Sequence, residues 1–327
     1  MNAASQIKTE LLTSTSEDIS RAAELLRTGQ LVAFPTETVY GLGGDASNDH
    51  AVAGIFAAKA RPQFNPLIVH LPDLAKVETY AALTPRARDI AEQLWPGPLT
   101  LVLPLRAGAG LSPLVSAGQP SLAVRIPAPQ LARDLLTQAD RPIAAPSANP
   151  SGRISPTTAD HVISGLSGRI AAVLDGGACQ AGVESTILDL TEDQPKLLRQ
   201  GAIAQESLAE ILGEPPATAA PITGDGSKAL KAPGQLSSHY APRASVRLNA
   251  SAPDPGETLL GFGAVDTAWN LSPSGDVVEA AARLFALLHA MDADPKITAI
   301  AVSPIPETGL GRAINDRLRR AAAPRPN

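Results

Sequence analysis

The chain has 327 residues, 44% of them hydrophobic and 18% charged, which is long enough for one large or two ordinary domains with packed cores. A formal net charge of −5 argues against a general nucleic-acid-binding surface. The single cysteine, Cys179, excludes an intrachain disulfide and a cysteine-rich zinc site. The first ten residues lack the apolar core of a signal peptide, and nowhere do about 18 uncharged apolar residues run together, so a cytoplasmic protein without a membrane segment is expected.

The first predicted element is a helix in which Ile19, Ala22, Ala23, Leu25 and Leu26 share a face, with Ser16 as its expected N-cap and Gly29 as its stop. A short strand over 31–34 then runs into "PTETVYGLGGDA". The glycines there suit a turn, but two threonines, a glutamate and a tyrosine are more than a turn requires, so a bound group is expected. Next come a helix over 51–59, the strand "LIVHL", a helix over 85–94 and the strands "LTLVLPL" and "SLAVRIP". A helix over 130–137, the strand "PIAAP", a helix opened by "SPTTADHVI" and the strands "AAVLD" and "STILDL" complete the first unit. Such mingling predicts an α/β fold around a large, twisted, mixed sheet. From 213 the periodicity gives way to Pro, Gly, Ala and Thr, which reads as a linker. Beyond it "TLLGFG", "DVVEAAARLFALLHAMD", "ITAIAV" and "RAINDRLRRAAA" predict a smaller α/β unit. The expected division is therefore 1–212, a linker over 213–244, and 245–327.

Polar groups recur where apolar strands end. Lys59 and Arg61 sit at the end of a helix, where they would complement its dipole, and Asn65 and His70 flank the next strand. Alternation in "SLAVRIP" puts Leu122, Val124 and Ile126 on one face and Ser121, Ala123 and Arg125 on the other. An arginine within a strand is costly unless its fork meets an anion, so a carboxylate or phosphate is expected, an internal Asp or Glu included. "PIAAPSANPSGRISP" ends a strand in Ser147 and Asn149, and Ser155 is expected to cap a helix whose first residue is Pro156. In "LDGGACQAGVEST", Gly176 and Gly177 would let the backbone approach a ligand. The familiar phosphate loop, the G-x-G-x-x-G turn, H-E-x-x-H and the G-x-S-x-G elbow are all missing.

Together "PTETVYGLG", "KARPQFNPLIVH", "WPGPLTLVL", "AVRIPAP", "PIAAPSANPSG", "GVESTILDL" and "LLRQGAI" resemble the threonylcarbamoyl-AMP synthase family, with its YrdC-type domain. "APGQLSSHYAP" resembles the signature that joins that domain to the extra C-terminal domain of the long members. Many long members carry a basic residue in this segment, whereas Gln235, Leu236, Ser237 and Ser238 are uncharged.

The resemblance implies that L-threonine, bicarbonate and ATP yield threonylcarbamoyl-adenylate and pyrophosphate, and that a partner transferase complex later modifies the adenosine beside the tRNA anticodon. It implies that Thr38, His70, Arg125, Ala145 and Ser185 hold threonine. ATP would be held by Lys59, Arg61, Asn65, Ser121, Ser147, Asn149, Ser155, Arg199 and Tyr240, with Lys59 and Arg61 stabilising charge during reaction. Magnesium would ride mainly on the phosphates, and no protein metal cage is expected. The linker would cover the site, and stable tRNA binding is not expected. Two rival readings are a non-catalytic RNA-binding module, disfavoured by the acidic charge, and a carbamoyl-transferring hydrogenase maturation factor, whose zinc-finger portion a single cysteine excludes.

Overall fold

The computed structural model describes residues 7–62, 65–218 and 239–324. The first unit opens with β1 (Glu10–Leu12), α1 (Ser16–Arg27), β2 (Val32–Phe34), β3 (Gly41–Asp45), α2 (Asp49–Lys59) and β4 (Ile68–His70). It continues through α3 (Leu74–Tyr80), α4 (Pro85–Leu94), β5 (Leu99–Pro104), α5 (Pro113–Ser116), β6 (Ser121–Arg125), α6 (Gln130–Ala139) and β7 (Ile143–Ala144). It closes with α7 (Ala159–Leu166), β8 (Ala172–Leu174), β9 (Thr186–Asp189), β10 (Lys196–Arg199), α8 (Gln205–Leu212) and β11 (Ala217–Thr218). The second unit holds β12 (Ser245–Arg247), β13 (Thr258–Gly261), β14 (Trp269–Asn270), α9 (Val277–Ala293), β15 (Ala299–Val302) and α10 (Gly311–Ala322).

The large unit is one mixed sheet in the order β1-β8-β2-β3-β7-β4-β6-β5-β9-β10-β11, and the small one a parallel sheet in the order β12-β15-β13-β14. The α/β expectation and its large mixed sheet hold. Most of the linker, residues 219–238, lies outside the described residues, while β11 still pairs with β10 in the large sheet.

Three local readings are corrected. The glycines of "GLGGD" do not turn the chain but form β3, paired antiparallel with β2 on one side and β7 on the other. A Cβ on Gly43 would stand 3.0 Å from both Ile143 and Phe34, so the glycine answers to packing density. The N-cap of α1 is Thr15, whose hydroxyl accepts from the Asp18 N–H, with Ser16 as the first helical residue. The helix after "ISP" starts at Ala159 under a Thr158 cap, which leaves the Ser155 hydroxyl for another partner.

The main core joins Val69, Leu101, Val124 and Leu188 from one face of the sheet to the helices over it, and a second cluster buries α1 and α6 against β2 and β8. The opposite side chains of β4 and β6, in register as Ile68 with Ala123 and His70 with Arg125, lie over the centre of the sheet on the other face. A further core crosses between the units: Val39, Ile154 and Val183 pack with Tyr240, Leu284, Phe285 and Leu288. Gly182 permits this contact, since a Cβ there would lie 2.4 Å from the Ala281 and Ala282 carbonyl oxygens of α9. Its φ of 67° also favours glycine.

Candidate active site

On that second face lies a cavity lined largely by polar side chains and open to solvent. Of the expected residues, Thr38, Arg61, His70, Arg125, Ala145, Ser147, Ser185, Arg199 and Tyr240 line it. Strand ends bring them together: His70 and Arg125 face each other across β4 and β6, Ser185 stands just before β9, and Ala145 follows β7. Tyr240, with φ 63°, and His239 come from the described end of the linker, and both are buried in the wall.

Arg125 finds its anion inside the protein. Glu37 Oε1 lies 2.9 Å from Arg125 Nη2 as an ion pair without an aligned hydrogen bond. Arg125 Nη1 donates to Thr38 Oγ1 at 2.9 Å and Nε to the Gly97 carbonyl at 3.3 Å. Thr38 and Thr36 share a 2.8 Å hydroxyl hydrogen bond, and Thr36 Oγ1 donates to the Val39 carbonyl. Thr36, Glu37 and Thr38 of "PTETVY" thus make one network around a buried guanidinium, while the Tyr40 hydroxyl bonds to Asp175 and the Gly177 carbonyl.

The remaining cations are arranged differently. Arg61 Nη2 donates to the Asn65 and Pro66 carbonyls, and Arg199 donates to the Ser185 carbonyl and hydroxyl at 3.0 Å each. Burial, reinforced by the charge of Arg199, lowers the Arg61 pKa to about 10, and burial lowers Arg199 to about 10 as well. Burial first, then Arg125, brings His70 down to about 3. Its Nδ1 faces the Ile68 carbonyl, which only accepts, so the proton sits there and the ring is neutral.

Five expected residues do not line the cavity. Lys59 is buried at the end of α2, where its ammonium donates to the Ser147 and Asn149 carbonyls and so fixes the loop that carries both residues. Burial, then Arg61, holds its pKa well below the ordinary lysine value. Asn149 donates through its amide to the Pro150 and Arg153 carbonyls, and its Oδ1 is buried without a partner, as are Asn65 Oδ1 and Arg61 Nε. Ser121 stands at the far end of β6, four residues and about 13 Å from Arg125. Ser155 donates to Glu184 Oε1 at 2.6 Å.

Sequence reasoning missed four residues of this region: Glu37, Glu184, His239 and Arg317. Glu184 lines the cavity, and its Oε2 accepts from Arg317 Nε of α10 at 3.0 Å. Burial opposes ionisation of Glu184, but Arg317, Arg199 and the Ser155 hydroxyl outweigh it and hold the carboxyl below its usual range. Arg317 is wholly buried, also donates to the Gln200 carbonyl, and stands 5.7 Å from the Tyr240 ring centroid. Neither of the twin glycines lines the cavity: a Cβ on Gly176 would meet Leu131 and Pro35, whereas Gly177, at φ 80°, faces open space. Among the described residues no group of three or more His, Cys, Asp or Glu stands together as a metal site, and no helix is long and apolar enough to cross a membrane.

Two family models divide the chain between them. One described as "Telomere recombination" matches residues 24–201, and one described as "Threonylcarbamoyl-AMP synthase, C-terminal domain" matches 203–323. The chain belongs to the threonylcarbamoyl-AMP synthase family. It is 39% identical to the threonylcarbamoyl-AMP synthase of Bacillus subtilis, covering 97% of this chain and 96% of that protein. It is 42% identical to that of Pyrococcus abyssi, over 92% of this chain and 93% of the other. A crystal structure of P. abyssi Sua5 complexed with L-threonine superposes with a TM-score of 0.88 at 38% identity, covering 96% of this chain and 98% of that one. The likeness thus spans both units.

Proposed function

We propose that the cavity takes L-threonine, bicarbonate and ATP and releases threonylcarbamoyl-adenylate and pyrophosphate, as the first step of an adenosine modification beside the tRNA anticodon. The observation that carries this reading is the charge of the cavity. Arg61 and Arg199, buried and lowered by burial, line one wall, and unpartnered buried atoms of Arg61, Asn65 and Asn149 adjoin it. Such a wall favours a polyanion, whose oxygens would restore the solvation that burial removed. Arg125, Thr38 and His70 make a second, smaller polar group suited to an amino acid, and Ser185, bonded to Arg199, would complete it from the other side.

In this arrangement the Arg125 fork receives the threonine carboxylate. The threonine amine captures bicarbonate as a carbamate with loss of water. A carbamate oxygen then attacks the α-phosphorus, the bond to the β-phosphate oxygen breaks, and pyrophosphate leaves. Arg61 and Arg199 stabilise the charge that develops on the phosphates. Lys59 acts from beneath by holding the Ser147–Asn149 loop, a role more indirect than a phosphate contact. The residues fit a metal that arrives with the nucleotide, because the carboxylates of Glu37 and Glu184 are both engaged by arginines. Magnesium bound to ATP would add charge neutralisation on the phosphates.

His239 and Tyr240 enclose the reacting groups, and the product passes to a partner transferase in the cytoplasm without stable tRNA binding. The test is pyrophosphate release that depends on threonine and bicarbonate together, with the adenylate identified by mass spectrometry. Release at the same rate without threonine would overturn the reading.

A further inference from the structure

We infer that Glu37 is a positioning residue that acts through Arg125: it fixes the guanidinium and balances its charge, and so keeps phosphate out of the amino-acid end of the cavity. This rests on the proposal that the cavity takes threonine and ATP side by side.

Thr36 and Thr38 line the cavity, whereas Glu37 between them does not. Its carboxylate lies behind Arg125, with Oε1 2.9 Å from Nη2 and Oε2 accepting from the Ala128 N–H at 3.2 Å. Its main-chain carbonyl accepts from the Ala181 N–H at 2.8 Å. Glu37 is thereby anchored to the exit of β6 and to the loop that precedes Glu184. Arg125, only 3% exposed, is held on three sides by a carboxylate, a hydroxyl and a carbonyl. Nη2 is buried against Glu37 and Nε against Gly97, which leaves the second Nη1 hydrogen, beside Thr38 on the cavity wall, to meet a ligand.

The contrast with the other wall gives this arrangement its meaning. The described contacts of Arg61 and Lys59 are main-chain carbonyls, which orient a cation but leave its charge intact. Arg125 receives a full carboxylate instead. A fixed cation without a counter-ion draws a phosphate as readily as an amino-acid carboxylate, since the guanidinium fork matches both. A counter-ion 2.9 Å behind the fork cancels most of the field that a multiply charged phosphate would feel, while the directed N–H persists for a singly charged carboxylate. The ammonium of the same amino acid is also less repelled. Orientation and charge balance together favour a zwitterion at this end and leave the polyanion to the Arg61 side of the cavity.

Glu37→Gln tests this, because the amide keeps the shape of the side chain and can still accept from Ala128. Calorimetry on the full chain should show threonine affinity reduced about tenfold with ATP affinity within about twofold, as expected when a preorganised fork is loosened. Pyrophosphate should be non-competitive with threonine in the wild type and become competitive in the variant. Glu37→Asp, which keeps the charge, should restore exclusion of pyrophosphate, and it serves as the test if Glu37→Gln does not fold. On an Arg125→Lys background Glu37→Gln should have less than about twofold further effect on threonine, as for residues acting through one another. Equal losses of threonine and ATP affinity, an undiminished effect on the Arg125→Lys background, or an unchanged pyrophosphate pattern would each overturn the inference. Failure of the wild-type chain to bind threonine at all would instead overturn the proposed function.

Discussion

Replacing Arg317 by glutamine probes how the second unit completes the site. Arg317 comes from α10, is wholly buried, and meets a Glu184 carboxylate that is 5% exposed at 3.0 Å. Removing one partner of such a pair leaves a buried charge without its counter-ion, which costs about 3–5 kcal/mol. A chain of 327 residues has an unfolding entropy of roughly 0.7 kcal/mol per kelvin, so the loss corresponds to about 4–7 °C in Tm. Glu184→Gln should cost less, because Arg317 keeps Asp316 at 3.2 Å. The double variant should lie closer to the wild type than Arg317→Gln does, since replacing both charges removes the orphan. Activity should follow the same order: an unpaired Glu184 carboxylate on the cavity wall repels the triphosphate, raising KM for ATP more than KM for threonine. Scanning calorimetry and pyrophosphate-release kinetics on the four proteins check both parts. A Tm for Arg317→Gln within about 1 °C of wild type, or a double variant less stable than either single one, would refute the reasoning.

Two other perturbations follow from the same geometry. Lys59→Ala removes the donor that ties the Ser147 and Asn149 carbonyls, so turnover should fall about 100-fold or more; wild-type pyrophosphate release by this variant would rule out any role for Lys59. Acid should destabilise the fold: burial lowers His289 to about 4 and His70 and His239 to about 3, and lowers His161 as well, so the unfolded chain binds more protons than the folded one below pH 6.5. Stability present above pH 6.5 is therefore lost as pH falls towards 4, and His289 alone accounts for up to about 3 kcal/mol of it. His161 and His289 stack across the two units at 3.8 Å, and His289 Nε2 faces the Ser155 carbonyl, so His161→Gln with His289→Gln should flatten this slope in urea titrations at several pH values. An unaltered slope would place the acid sensitivity elsewhere.

How much of this was legible in the sequence depends on whether the cause was local. Alternation in "SLAVRIP" placed Arg125 opposite the core face because a strand's period is set by its own backbone. The ends of α2, α4 and α6 were read to within two residues, but "SPTT" offered several caps, and Thr158 caps α7 while Ser155 is taken by Glu184, 29 residues away. The glycines of β3 misled because a glycine fitted for close packing and one fitted for a turn look alike until the neighbouring strands are known. Glu37 and Arg125 are 88 residues apart and meet only through the register of the folded sheet; no spacing rule links them.

Arg317 gives the sharpest case of this kind. In "RAINDRLRRAAA" it is one of four arginines on a helix whose acidic neighbour, Asp316, would suffice to explain a surface charge. Its three companions do make surface or half-buried pairs, Arg312 with Glu206, Arg319 with Glu307 and Arg320 with Asp316. What sets Arg317 apart is that it falls on the same helical face as Ala313, Ile314 and Ala321, all buried, so the apolar stripe that docks α10 carries one charge inward with it. A charge on a docking stripe is tolerated only where a partner waits, and the partner is a carboxylate on the cavity wall. The second unit is therefore no detached appendage to the cavity: the contact that buries α10 is also the contact that neutralises a charge on the cavity wall.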